Sequence, residues 1–166
     1  MSMEAIAMEN DVLVLEQLRK QFPVLAEEGA VTTKRRVFIT VPVELLLDVM
    51  RYSYDVLKFE NLCTITGMDS VDCFELIYHL TNDHDGVMLN VTIKAPKDHP
   101  VVPTVLDIYN GATFYEREVE GLLGVRVEGL PEGRQYPLPD NWPKDQYPLR
   151  KDWTPDMLKD NQGGAQ

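Results

Sequence analysis

Leu15, Leu18, Phe22 and Leu25 recur at intervals of three, four and three residues, the spacing that places apolar side chains on one face of a helix. A helix over residues 11–27 follows, with Asp11 at its N-cap and Pro23 where it kinks or ends. The period then drops to two. Val37, Ile39 and Val41 alternate within residues 34–41, which reads as a strand. Pro42 sits where a first helical turn tolerates a missing N–H, and Leu46, Val49, Met50, Ser53 and Leu57 share one face of a helix over 42–58.

Three strand candidates succeed one another after that helix. The first covers residues 61–68; the second, 73–81, puts Phe74, Leu76, Tyr78 and Leu80 on one face; the third, 87–94, does the same with Val87, Leu89, Val91 and Ile93. The connection Asn82-Asp83-His84-Asp85-Gly86 has the composition of a hairpin turn. Read as a calcium loop from Asp83, it would need a glutamate at the twelfth position, which is Lys94. After the proline-bearing residues 97–103 comes a helical region broken at Asn110-Gly111. From there Ala112, Tyr115, Glu116, Val119, Leu122 and Leu123 share a face, and Gly124 is a natural C′ residue.

Residues 129–155 hold six of the eleven prolines and both tryptophans, a density that blocks helix and central strand alike. Residues 161–166 read as disordered. The order helix, strand, helix, three strands, helix, tail implies an α+β two-layer domain with a mixed or mostly antiparallel sheet and helices packed on it. The expected division is a domain over 1–128 and an extended tail over 129–166 that wraps the domain, a partner, or both.

Composition narrows the function classes. Twenty-seven acidic against sixteen basic residues leave a net charge of −11, which repels phosphate backbones and argues against nucleic-acid binding. Cys63 and Cys73 exclude a disulfide scaffold, and His79, His84 and His99 lie at no spacing that would complete a metal site with them. Neither a dinucleotide fingerprint nor a phosphate loop occurs. No apolar run is long enough to span a bilayer, and residues 1–9 match neither a transit peptide nor a secretory signal, so a cytoplasmic setting is expected.

The charged run Glu116-Arg117-Glu118-Val119-Glu120 concentrates the candidate chemistry. Helical phase turns Glu116 toward the packing side, where a carboxylate is costly unless paired and hydrogen-bonded. Three readings compete: an acid/base couple of Glu116 and Glu120; a solvated helix surface; and charge-assisted bonds from Glu116 and Arg117 to the tail or to another subunit. The tail favours the third. Tyr136, Trp142, Tyr147 and Trp153 are large aromatics on a stiff segment with no evident internal means of burial, and Arg150 and Lys151 add donors that Glu116 or Glu118 could use.

Glu116-Arg117-Glu118, then Leu122-Leu123-Gly124-Val125, then Pro148-Leu149-Arg150-Lys151-Asp152 resemble the 30-kDa (C) subunit family of respiratory complex I, which includes counterparts in energy-converting membrane-bound [NiFe] hydrogenases. The coarse element order is similar as well. Two departures stand out: Gly121 replaces an acidic residue, and Gly129-Leu130-Pro131-Glu132-Gly133 replaces a basic or histidine-bearing stretch. Leu138-Pro139-Asp140-Asn141-Trp142-Pro143 is closer to the hydrogenase-type branch.

The resemblance implies a hydrophilic-arm subunit of a membrane-bound, ion-translocating oxidoreductase complex, without a catalytic centre or cofactor of its own. Its partners would be the large catalytic subunit and iron–sulfur subunits, and its place the cytoplasmic side of the membrane, peripheral and held through the complex. Glu116, Arg117, Glu118, Tyr136, Trp142, Tyr147, Arg150, Lys151, Asp152 and Trp153 are the expected partner-binding or assembly residues. A free-standing acidic adaptor of the same fold and a small carboxylate-dependent hydrolase are the alternatives.

Overall fold

A computed structural model describes residues 3–134 and 136–160, so residues 161–166, expected to be disordered, lie outside the described residues. Its elements run α1 (Met3–Gln21), β1 (Ala30–Thr33), β2 (Arg36–Thr40), α2 (Leu46–Asp55), β3 (Asn61–Asp69), β4 (Cys73–Asn82), β5 (Val87–Pro96), β6 (Val101–Pro103), α3 (Ala112–Leu123), β7 (Arg126–Glu128) and α4 (Asp156–Asp160). Five strands form one sheet in the order β1-β2-β5-β4-β3, and β6 and β7 form a separate parallel pair. The β3-β4-β5 meander is antiparallel, whereas β2 joins β5 in parallel. The sheet is therefore mixed, and the α+β class holds.

Period-two burial built the central strands as expected. Phe74, Leu76, Tyr78 and Leu80 on β4 are buried beside Leu89, Val91 and Ile93 on β5 and Val37 and Ile39 on β2, and one continuous core joins them to α1, α2 and α3. Asn82 closes the β4–β5 turn: its Oδ1 accepts the N–H groups of His84 and Asp85, and its Nδ2 donates to Leu57 O at 2.9 Å.

Several expected boundaries moved. Asp11 is no N-cap. It lies inside α1, fully buried, and its Oδ2 accepts the N–H of Arg35, a residue in the left-handed region at φ 63°. The carboxylate thus fastens the β1–β2 turn rather than a helix end. Pro23 does stop the helix, which gives way at Gln21 and is followed by a 3₁₀ turn over Pro23–Leu25. The strand expected over 34–41 shortens to β2 and gains β1 as its hairpin partner, and the helix expected over 42–58 divides into a 3₁₀ turn, Val43–Leu45, and α2. Residues 104–110, expected as helical, form turns pinned by Tyr109, whose hydroxyl donates to Phe59 O at 2.8 Å.

Candidate functional site

The charged motif and the C-terminal segment meet around α3. Gly124 ends that helix at φ 71°, a left-handed conformation in which a Cβ would be strained, and its N–H reaches Glu120 O. Val119 and Leu123 pack on β3 at Gly67. This orientation decides where the charges go. Phe114, Arg117 and Glu118 face outward, and Glu116 faces in.

Glu116 is 1% exposed, and both carboxylate oxygens are engaged. Oε1 accepts the N–H of Val105 at 2.7 Å and Oε2 accepts the Thr104 hydroxyl at 2.7 Å. Burial raises the carboxyl above its ordinary value, against the opposing pull of those two bonds, and Glu120 nearby raises it further. The same buried charge, after desolvation itself, lifts the Tyr78 phenol. Glu116 therefore latches the turn after β6 onto α3. Its bonds lie within the domain, at 1% exposure, and not to the tail as the docking reading allowed. Glu120, passed over among the expected assembly residues, does parallel work: its Oε1 accepts the N–H of Val127 at 2.8 Å, tying β7 to α3.

An acid/base couple is not what these carboxylates form. Both are engaged with backbone donors, and the groove of about 410 Å³ beside α3 is lined by Arg117, Glu120 and residues 130–134 but not by Glu116. Among the described residues no group of three or more His, Cys, Asp and Glu side chains is arranged to hold a metal ion.

Arg117 does bond the tail: its Nη2 donates to Pro131 O at 3.2 Å and Glu132 O at 3.4 Å. The tail itself folds back as a strap. Arg150 Nε donates to Leu123 O at 2.6 Å, completing the carbonyl end of α3, while its guanidinium lies 4.5 Å from the Tyr147 ring centroid and 5.0 Å from that of Phe74. Leu149 N–H adds a bond to Leu122 O at 3.0 Å. Lys151 contributes its backbone N–H, which donates to Asp69 Oδ2 at 2.8 Å, and Lys97 Nζ sits 2.6 Å from Asp69 Oδ1. The Lys97 bond first, and the Lys151 N–H second, hold the Asp69 carboxyl below its ordinary range. Asp69 carried no sequence signal, lying 82 residues from its partner.

The tail aromatics also differ from expectation, because three of the four are partly buried within the tail and its contacts. Trp142 and Trp153 stack with centroids 6.0 Å apart, and both indole N–H groups donate to Gln146, at its backbone O and its Oε1, at 2.8 Å. Tyr147 is partly buried, which lifts its phenol, and its ring lies against Arg150. Only Tyr136 among the four stays exposed, edge-on to Phe114. Glu118, Asp152 and the Lys151 side chain are exposed as well. Arg150 and Lys151 thus donate to helix-end carbonyls and to Asp69, not to Glu116 or Glu118.

Fold and site together describe a two-layer α+β domain whose inward motif charges are engaged in internal bonds and whose C-terminal strap is fastened across one helix. The family model described as "Respiratory-chain NADH dehydrogenase, 30 Kd subunit" matches residues 39–157, and the chain belongs to that family. It is 30% identical over 142 residues to the C subunit of the F420H2 dehydrogenase of Methanosarcina mazei, covering 84% of this chain and 89% of that protein. It is 30% identical over 159 residues to the beta subunit of the membrane-bound hydrogenase of Pyrococcus furiosus, covering 91% of each. Among solved structures it is similar to one protein of the membrane-bound sulfane sulfur reductase, an archaeal respiratory membrane complex, at TM-score 0.79 and 30% identity over 90% of this chain and 88% of that one. No helix among the described residues is long and apolar enough to cross a membrane.

Proposed function

We propose that the chain is a peripheral, hydrophilic-arm subunit of a membrane-bound, ion-translocating oxidoreductase complex. There it holds the large catalytic subunit and the iron–sulfur subunits in register and binds no cofactor of its own. The observation that carries this reading is the reciprocal coverage of 91% with a hydrogenase subunit and near 90% with a respiratory-complex protein: the likeness spans the strap as well as the sheet. A subunit of this kind contributes geometry. Electron transfer between centres on other chains depends on their fixed separation, and a domain latched internally at Glu116, Glu120 and Arg150 is a rigid spacer. The cytoplasmic face of the membrane is the proposed location. The hydrogenase-type branch is the one favoured by the run over residues 138–152, which lies within the strap.

The test is purification of the tagged full-length chain from gently solubilised native membranes. Recovery with a large catalytic subunit and iron–sulfur proteins is expected, a nickel-ligating large subunit marking the hydrogenase type and a cysteine-poor one the quinone type. Recovery as a lone monomer would defeat the proposal in favour of a free-standing adaptor.

A further inference from the structure

Two large aromatic side chains meet on the outer side of α3 without burying each other. Phe114, from the helix, is 60% exposed and Tyr136, from the strap, is 48% exposed; their rings pack edge to face with centroids 6.0 Å apart and planes at 75°. Such a pair is held in one orientation yet keeps much of both rings in water, so a neighbour that covers it gains apolar area at small entropic cost. The crossing that brings them together is built. Arg117, one turn after Phe114, binds the Pro131 and Glu132 carbonyls, and Gly133 lies so close to the guanidinium that a Cβ there would overlap it. The Arg117 charge is directed into the strap, whereas Glu118, four residues after Phe114 on the same helix, and Glu132, four residues before Tyr136, are exposed carboxylates in a chain already at −11.

We infer that Phe114 and Tyr136 form a docking knob for an apolar pocket rimmed by lysine or arginine on a neighbouring protein subunit. The inference rests on the reading of the chain as a complex subunit and deepens it, naming which part of the surface makes the central contact. Aromatic anchors seated in a partner's pocket carry much of an interface's energy, and complementary charge around them steers the encounter and fixes its register.

The test is a competition in cells expressing two differently tagged full-length chains, wild type and the Phe114→Ser, Tyr136→Ser double variant, with the complex isolated through a partner subunit. The variant is expected to be under-represented by at least roughly thirty-fold, and equal representation overturns the knob. The purified full-length variant should unfold close to the wild-type midpoint, since it loses only the edge contact between two largely exposed rings. If it unfolds earlier, p-benzoylphenylalanine at position 114 of the full-length chain decides. Photocrosslinking into a neighbour's segment that carries Lys or Arg within a few residues supports the knob, and an assembled complex without crosslinks to another chain overturns it. Glu118→Lys with Glu132→Lys should lower incorporation by at least about two-fold; unchanged or improved incorporation overturns the basic rim. Failure of the wild-type chain to recover any partner would instead defeat the underlying complex reading, an outcome distinct from equal competition.

Discussion

Replacing Glu116 with alanine removes the latch between α3 and the turn after β6, and its effect can be worked from the geometry. The substitution leaves the buried Val105 N–H without an acceptor and the Thr104 hydroxyl without a partner at the position of Oε2. An unsatisfied buried donor costs about 1–3 kcal/mol, and each buried methylene lost adds about 0.8 kcal/mol. Relief of carboxylate desolvation offsets part of this, so a net loss of about 2–3 kcal/mol is expected. For a chain of this size that corresponds to a fall of about 4–12 °C in Tm. Glu116→Gln retains the shape: its amide oxygen can accept from Val105 and its NH₂ can donate to Thr104 Oγ1, which already accepts from Leu106 at 3.1 Å and has a second lone pair. That variant should stay within about 1 kcal/mol of wild type.

Differential scanning calorimetry and urea titration of the three proteins measure this ordering, and pH supplies an independent check. Burial raises the folded-state carboxyl of Glu116, so the folded chain holds this proton more tightly than the unfolded chain does. The stability that follows is fully present below the unfolded value, about 4.3, and is lost as pH rises through the raised folded value. Glu116→Gln has no such loss, so its stability relative to wild type should climb over that window and then level. An alanine variant as stable as wild type at pH 7, or a glutamine variant no better than alanine, would refute the latch, and a flat pH difference would refute the dominance of burial over the two bonds at Glu116.

Three further outcomes follow from the strap. Arg150→Ala removes the bond to Leu123 O and both ring stacks, worth together about 2–4 kcal/mol, and should expose residues 131–153 to limited proteolysis while the sheet stays folded; Arg150→Lys should not rescue it, lacking the planar fork. Gly124→Ala places a Cβ 2.6 Å from Arg150 Nη2 and 2.7 Å from the Tyr147 ring, and adds about 1–2 kcal/mol of left-handed backbone strain, so chemical denaturation should show it less stable than wild type and proteolysis should show the strap loosened. Asp69 works in the opposite pH direction from Glu116: its carboxyl is depressed by Lys97 and the Lys151 N–H, so its contribution is present above the ordinary aspartate range and lost as pH falls through the depressed value. Asp69→Asn should therefore flatten the acid limb of the stability profile, and an unchanged limb would count against the bridge.

What could be read from the chain beforehand was whatever local periodicity encodes. The alternation in β4 and β5 and the helical phase that turned Glu116 inward were both legible, because each depends on neighbours a few residues away. The partner of Glu116 was not. Thr104 and Val105 lie in a proline-flanked turn with no regular pattern, and nothing local says that a buried carboxylate will find a backbone N–H there rather than an arginine on the tail. β6 and β7 were missed for a related reason: three-residue strands are too short to display a period, and they pair in parallel across α3. Asp11 misled because aspartate before an apolar run is a common cap signal, whereas here the carboxylate serves a turn 24 residues on. The mutual stacking of Trp142 and Trp153 around Gln146 likewise required the strap to bend, which proline density alone does not predict.

The sheet order carries a consequence for the timing of assembly. β3, β4 and β5 form a meander of adjacent hairpins with short loop closures, whereas β2 pairs with β5 only after the chain has passed through α2, β3 and β4, and Lys151 reaches Asp69 across 82 residues. Loop-closure entropy and contact order place the meander early and the strap last. Pulse-labelled hydrogen exchange during refolding should accordingly protect amides of β4 and β5 before those of Leu149 and Lys151, and simultaneous protection would contradict the order. A chain still emerging from the ribosome would then hold a formed sheet before it holds the Tyr136 side of its docking surface. Recruitment into a larger complex would be gated by synthesis of the segment that carries Tyr136, not by formation of the core.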